Sequence, residues 1–391
     1  MATKKFDIII YGATGFTGRL VAEYLQAQYG NGKEINWAIA GRNIDKLQAV
    51  RDEKALSADT PIVVADATDT ESMQAMVDRT QLVITTVGPY QLYGSELVGL
   101  CANSGTDYVD LCGEAVWMRR MIDAHGAAAQ KSGARIVFSC GFDSIPSDLG
   151  IYKLQKLAHA KYGKPCATIN GRVRGLKGTF SGGTAASIRA EVGAAKADPE
   201  AYKLAIDHFS LVPDYAGVPQ PGGTEIHYSE ELGSWVAPFV MAAINTRNVH
   251  RSNSLLDFYY GKDFTYDEMI LTGPGEKGEA TAKFVATDNS IAGPDAPKPG
   301  EGPSKEERDS GFYDILYIGT TAAGEQMMLN VKGDRDPGYG STSKMISESA
   351  VCLVKDASDT KGGIWTTAPA MGDKLIARLE ANAGVTFNEG V

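Results

Sequence analysis

The sequence predicts an α/β protein. A Rossmann-type, doubly wound parallel sheet occupies residues 1–150, a second α/β (α+β) domain residues 151–335, and C-terminal helices over 336–391 pack back on the first domain. Three observations predict it. Short β-branched runs alternate with longer helical patterns as far as Cys140. A glycine-spaced turn, Gly12-Ala13-Thr14-Gly15-Phe16-Thr17-Gly18, directly follows the first run. After Gly141 the segments alternate apolar and polar, as in a sheet with one solvated face.

Six strands are expected in the first part: Phe6 to Tyr11, Ile35 to Ala40, Ile62 to Ala65, Leu82 to Thr86, Thr106 to Asp110 and Arg135 to Ser139. Several are continuous apolar runs, the pattern of strands buried on both faces. A helix from about Ser147 to Tyr162 leads into the second part, where Thr168 to Val173 and Ala280 to Ala286 alternate like strands. Asp288 to Ser310 is rich in Pro, Gly and charge with little to bury, which predicts a flexible surface loop between two strands. Tyr313 to Gly319 and Met327 to Lys332 follow as a returning strand pair, turning at Ala323-Gly324-Glu325. Ile346, Ala350, Leu353 and Val354 then share one helix face, with Ser341 or Thr342 as its N-cap, and a second helix carries Met371, Leu375, Ile376 and Leu379. The apolar run Trp235 to Ile244 is expected in the core, with an apolar surface for lipid or an acyl carrier as the alternative.

With 43% apolar and 22% charged residues the chain has the balance of a folded globular protein. A net charge of −10 argues against a nucleic-acid partner, which needs a basic patch. The five cysteines are scattered without a C-x-x-C pair, and the five histidines lack metal-ligand spacing. No metal is expected, and a reducing cytoplasm fits the free thiols. No apolar run approaches the ~20 residues needed to span a bilayer, and the N-terminal run is too short for a signal peptide.

The glycine turn carries chemistry because of where it lies. Gly12 permits the tight turn, Gly15 lets backbone approach a pyrophosphate, and Gly18 lets the following helix sit close on the strand. Ala13, Thr14, Phe16 and Thr17 complete the cradle, whose N–H groups and helix dipole hold phosphate. The second strand ends in Gly41-Arg42-Asn43, where NAD-binding proteins place a carboxylate. A guanidinium there suits the 2′-phosphate of NADP(H), with Lys46 adding charge one turn later. Asp66 is the candidate for the adenine amino group, and Val87, Gly88 and Pro89 border the nicotinamide ribose.

These stretches, with Tyr108-Val109-Asp110-Leu111-Cys112-Gly113-Glu114 and Gly141-Phe142-Asp143-Ser144-Ile145-Pro146-Ser147-Asp148, resemble the saccharopine dehydrogenase-like oxidoreductases. Ser181-Gly182-Gly183-Thr184 and Gly362-Gly363-Ile364-Trp365-Thr366-Thr367-Ala368-Pro369 are similar to the branch of trans-acting enoyl reductases that serve polyketide and lipid assembly. The resemblance implies NADPH-dependent reduction of an enoyl group in a free or carrier-bound acyl, lipid or polyketide intermediate, in a cleft between two domains. A polyketide synthase, a second copy of the chain and peripheral contact with a membrane are the further partners in view.

Proton delivery has three candidates at expected strand ends, Tyr90, Glu114 and Asp143. Ser181, Gly182, Gly183 and Thr184 precede a helical run and offer N–H groups to a substrate carbonyl, or serve as a plain N-cap. Two alternatives stay open: imine or carbonyl reduction of the saccharopine type, and an NADPH sensor or scaffold without turnover. Tyr90, Tyr93, Cys112, Glu114 and Phe142 suit an uncharged acyl chain better than a dicarboxylic amino acid, with Arg172, Arg174 and Arg189 still unplaced.

Overall fold

A computed structural model describes residues 4–290, 293, 297, 298 and 300–390. The first half alternates strand and helix from β1 (Phe6–Tyr11) and α1 (Phe16–Tyr29) through β2 (Trp37–Gly41), α2 (Ile44–Glu53), β3 (Ile62–Val64) and α3 (Thr70–Val77). It continues with β4 (Thr80–Thr85), α4 (Tyr90–Tyr93), α5 (Ser95–Ser104), β5 (Asp107–Val109), α6 (Ala115–Ser132), β6 (Arg135–Val137) and α7 (Ile145–Tyr162). All six expected strands are present with small shifts at their ends. β1 is buried almost throughout because helices cover both faces of its sheet.

The second half runs β7 (Cys166–Lys177), α8 (Gly182–Ala197), α9 (Pro199–Ile206), β8 (His227–Ser229), β9 (Ser234–Pro238), α10 (Ala242–Leu255), β10 (Thr265–Gly273) and α11 (Gly275–Thr287). It closes with α12 (Lys305–Asp309), β11 (Phe312–Thr321), β12 (Gln326–Gly333), α13 (Thr342–Lys355), β13 (Gly363–Trp365), α14 (Thr367–Arg378) and β14 (Val385–Glu389). The first sheet has the order β13-β6-β5-β4-β1-β2-β3 and is parallel throughout. Winding reverses between β1 and β4, so the loops at their carboxyl ends diverge and open a crevice. The second sheet, β14-β12-β11-β7-β10-β9-β8, is antiparallel except for the β7–β10 pair.

The C-terminal segment belongs to both sheets. β13 pairs with β6 at the edge of the first sheet, and β14 pairs with β12 at the edge of the second. Between them α13 is buried along most of its length and packs on α1, β4 and β5. Ile346, Ala350 and Leu353 form its innermost face. Ser341 precedes this helix without a side-chain cap, because a π-helical turn over Pro337–Ser341, held by Asp336, leads into it instead.

Two expectations need correction. Ala280 to Ala286 is helical, within α11. Its buried positions are Gly278 and Ala282, spaced by four, and a Cβ on Gly278 would lie 2.0 Å from the Gly273 carbonyl oxygen. A stripe of small residues on one helix face thus looked like strand alternation, while Phe284 stands 66% exposed. Asp288 to Ser310 therefore follows a helix, not a strand, and contains α12, which starts with a Ser304–Glu307 capping box. Positions 291, 292, 294–296 and 299 of that segment lie outside the described residues. Trp235 to Ile244, expected in the core, divides at Pro238 into β9 and the approach to α10; Val236, Ala237, Phe239, Met241 and Ile244 are buried there, while Val240 is 49% exposed.

Candidate functional site

The crevice begins at the turn after β1. Gly12 has φ of 90°, and a Cβ there would lie 2.7 Å from Val87 Cγ2. A Cβ on Gly18 would come within 2.2 Å of the Gly12 carbonyl oxygen. Both positions therefore require glycine for the turn and for the close approach of α1. Gly15 caps α1 without a side-chain bond, and the first turn carries no acid. Its leading N–H groups and positive dipole end face the crevice, which is the chemistry a pyrophosphate needs.

At the end of β2, Asn43 caps α2, its Oδ1 accepting from Lys46 N–H at 2.9 Å. Arg42 is exposed and forms no ion pair among the described residues. After the neighbouring β3, Asp66 accepts from Thr68 N–H (3.0 Å) and Thr68 hydroxyl (2.9 Å). Those bonds, with a smaller contribution from the Arg42 charge, hold its carboxyl below the usual range. Val87 touches the Gly12 turn, while Gly88 and Pro89 continue the loop past β4, joined by a cis peptide bond. The positions proposed for cofactor contact thus all stand at or beyond the carboxyl ends of β1 to β4, and the glycine cradle, uncapped helix and unpaired guanidinium suit an NADP-type dinucleotide.

The three proton-donor candidates occupy different surroundings. Glu114 is buried, and its two carboxylate oxygens are filled. Oε1 accepts from Tyr90 N–H and Ser187 hydroxyl, each at 2.8 Å, and Oε2 from Gln91 N–H at 2.9 Å. It thereby closes the start of α4 and ties α8 to the first domain. Tyr90 is buried against Trp117, its hydroxyl accepting from Leu111 N–H at 3.1 Å. Asp143 differs, because its carboxylate has no hydrogen-bond partner among the described residues. Its turn is held instead by its neighbours. Phe142 N–H donates to Thr342 Oγ1 (2.9 Å), Ser144 N–H to the Ser139 carbonyl (3.1 Å), and Asn248 Nδ2 to Ser144 Oγ (2.9 Å). Burial, and then the charge of Glu268, push the Asp143 carboxyl up to about 7.

Ser181 to Thr184 stand at the start of α8. Ser181 N–H donates to the Tyr339 hydroxyl, Thr184 Oγ1 shares a hydrogen bond with the same hydroxyl at 2.8 Å, and Gly182 N–H donates to the Glu301 carbonyl at 3.2 Å. Only Gly183 of the four lacks a bond of this kind to another segment among the described residues. Tyr339 also meets Phe16 of the glycine turn edge-on at 5.2 Å, so the turn that opens the C-terminal segment touches the cradle itself.

Several site residues were not singled out from the sequence. Tyr339 stands in Asp336-Pro337-Gly338-Tyr339-Gly340, a turn signature between a strand and a helix that could have marked it. Glu268 is buried inside β10, where an adjacent acidic pair, Asp267-Glu268, interrupts a strand pattern. Asn245 and Asn248 belong to α10, whose residues from Ile244 to Asn253 are buried although most are polar. Arg172 and Arg174, left unplaced by the sequence, are paired with Asp267 (2.9 Å) and Asp314 (2.8 Å).

Comparison with known proteins agrees with this architecture. Residues 8–137 match the family model of the saccharopine dehydrogenase NADP binding domain. The chain is 41% identical to a Mycobacterium tuberculosis relative provisionally named a trans-acting enoyl reductase, covering 98% of this chain and 97% of the relative. It is 38% identical to the trans-acting enoyl reductase of Mycobacterium ulcerans, covering 97% and 96%. Among solved structures, saccharopine dehydrogenase (L-Glu forming) from Saccharomyces cerevisiae shares the fold with a TM-score of 0.55 at 12% identity, over 98% of this chain and 99% of that one. No helix among the described residues is long and apolar enough to cross a membrane. An NADP-binding Rossmann domain joined to this second sheet, with near full-length identity of this order, makes the chain a member of the saccharopine dehydrogenase-like oxidoreductases, in their trans-acting enoyl reductase branch.

Proposed function

We propose that the protein reduces the carbon–carbon double bond of an α,β-unsaturated acyl group presented on the carrier of a partner synthase, with Asp143 as the proton donor. Bound NADPH supplies the hydride for such a reduction. The chain would hold that dinucleotide through the Gly12–Gly18 turn and Arg42, with Asp66 and the Val87–Pro89 loop at its flanks. Glu114 and Tyr90 are positioning residues in this scheme, since their polar atoms fix the loops after β4 and β5. Asp143 stands beyond β6 with its carboxyl unengaged, and protonates the α-carbon once the β-carbon has been reduced.

The observation that carries the proposal is that unengaged carboxyl, which holds its proton to about neutral pH in a crevice bordered by Phe142 and Tyr339. The pairing of Arg172 and Arg174 with acids leaves those cations committed within the second sheet, which favours an uncharged acyl chain over a dicarboxylic amino acid. Asp143→Asn tests the role. NADPH affinity by fluorescence titration should stay within about twofold, while turnover of a carrier-bound enoyl thioester falls about 100-fold or more, the usual worth of general acid catalysis. Wild-type turnover should decline as pH rises above about 7. Turnover within threefold of wild type in the variant refutes the assignment.

A further inference from the structure

The stretch that leads into β11 lies against the glycine cradle. Phe16 is the first residue of α1. A Cβ on Gly302 would stand 2.7 Å from its Cε1 and Cζ, so the backbone ahead of α12 rests on its ring. Arg308 of α12 places its guanidinium carbon 5.6 Å from the centre of the same ring, a cation–π contact. The ring is thus enclosed by Gly302, Arg308 and Tyr339, and one aromatic side chain separates the Arg308 guanidinium from the head of α1. Just upstream, the Glu301 carbonyl accepts from Gly182 N–H at 3.2 Å, which ties this stretch to the start of α8.

We infer that Arg308 is a cofactor-binding residue, whose guanidinium gives the pyrophosphate of NADPH a cation that the cradle itself lacks. This rests on the cradle being the dinucleotide site. The N–H groups of Phe16, Thr17 and Gly18 have no acceptor among the described residues and are open to phosphate. They bring only the partial charge of a helix end, about half an elementary charge, against one negative charge on each of two phosphates. The one basic side chain of α1, Arg19, is paired with Glu53 at 3.3 Å, and Arg42 stands at the end of β2 for the 2′-phosphate. A cation from the second half of the chain makes up the difference, and the cofactor is then gripped from both halves.

Arg308 is held in place without being neutralised. Its Nη1 donates to the Pro303 carbonyl at 2.6 Å, and its own carbonyl accepts from Asp336 N–H at 3.0 Å. It forms no ion pair among the described residues, because the acids around it are taken. Asp309 is bridged by Lys305 and, at 3.5 Å, by Arg335. Asp336 accepts from Tyr339 N–H (3.0 Å) and Gly340 N–H (2.7 Å), and Glu307 from Ser304 N–H (2.7 Å). With one of its N–H groups given to Pro303, the rest of the planar fork is uncommitted among the described residues, and that fork matches phosphate oxygens in pairs.

The test titrates NADPH and NADH into full-length Arg308→Gln and Arg308→Lys by calorimetry at one salt concentration, beside the melting temperature of each cofactor-free protein. Gln keeps an amide donor for the Pro303 carbonyl and removes the charge. Both cofactors carry the pyrophosphate, so Arg308→Gln should weaken both about tenfold or more, with their affinity ratio within about twofold of wild type. Arg42→Ala, by contrast, should lower NADPH alone. Arg308→Lys, which keeps the charge but not the fork, should lose less than Arg308→Gln. Both affinities within about twofold of wild type in Arg308→Gln would overturn the assignment. A loss confined to NADPH overturns it too, since it would move Arg308 to the 2′-phosphate. Equal losses in Gln and Lys with a lowered melting temperature would show a purely structural role. Wild-type protein that binds neither cofactor would instead refute the cradle as the dinucleotide site. If Arg308→Gln fails to fold, phenylglyoxal labelling of wild type decides: modification of Arg308, mapped by mass spectrometry, should be blocked by NADPH and NADH alike, and labelling at an unchanged rate would overturn the assignment.

Discussion

Replacing Arg42 by Ala isolates the part of the crevice that distinguishes NADPH from NADH. The guanidinium stands at the end of β2, is exposed, and forms no ion pair among the described residues. Its removal therefore leaves no buried partner unsatisfied, and the melting temperature should stay within about 1 °C, as surface changes of this kind usually do. A hydrogen bond to a charged group is worth about 1.5–3 kcal/mol. At about 1.4 kcal/mol per decade, NADPH affinity should fall roughly 10- to 150-fold. NADH, which lacks the 2′-phosphate, should bind the variant as it binds wild type. Arg42→Asp should weaken NADPH further, since it adds a second carboxylate near Asp66. Titration calorimetry at one fixed salt concentration measures both cofactors. Equal NADPH affinity in wild type and Arg42→Ala would refute the placing of the 2′-phosphate.

Gly18→Ala should abolish dinucleotide binding and destabilise the fold by about 1–3 kcal/mol or more, because its Cβ meets backbone only 2.2 Å away. Denaturant unfolding with an NADPH titration checks both effects, and a variant that binds normally would contradict the close approach of α1. Glu114→Gln should cost about 2–3 kcal/mol, since an amide cannot accept from Tyr90 N–H, Gln91 N–H and Ser187 hydroxyl as the carboxylate does. Thermal unfolding measures the loss, and unchanged stability would free Glu114 from its positioning role. The raised Asp143 carboxyl makes a prediction about stability. Its contribution is complete below about pH 4 and is lost as pH rises through about 7. Asp143→Asn should therefore match wild type at pH 4 and exceed it at pH 8 by on the order of 2 kcal/mol, allowing for solvent screening in the cleft. Equal stability at both values would contradict the raised carboxyl.

Most of the first sheet was legible because its central strands are covered on both faces and so appear as apolar runs, as Phe6–Tyr11 and Trp37–Gly41 do. The cradle was legible because Gly12 and Gly18 answer local demands of backbone geometry. β13 and β14 were not seen, since short edge strands acquire their identity from partners far away in the chain, β6 and β12. α10 defeated periodicity for another reason. Its Asn, Arg, His and Ser side chains are buried because tertiary hydrogen bonds receive them, as Asp148 receives Ser252 and the carbonyls of Leu211 and Ile364 receive Arg251. Asp143 was singled out from its place after a strand end, whereas Glu268 and Asn248 come near its turn only through the packing of β10 and α10 on the first domain.

The central claim is that this crevice joins a hydride and a proton across a conjugated double bond. It is tested most directly by incubating the protein with a carrier-bound enoyl thioester and NADPH deuterated at the transferable position, in ordinary water, and locating the label by mass spectrometry and NMR. One deuterium at the β-carbon and solvent hydrogen at the α-carbon is the expected product. Saturated thioester without deuterium, or no NADPH consumed across a range of enoyl chain lengths, would contradict it.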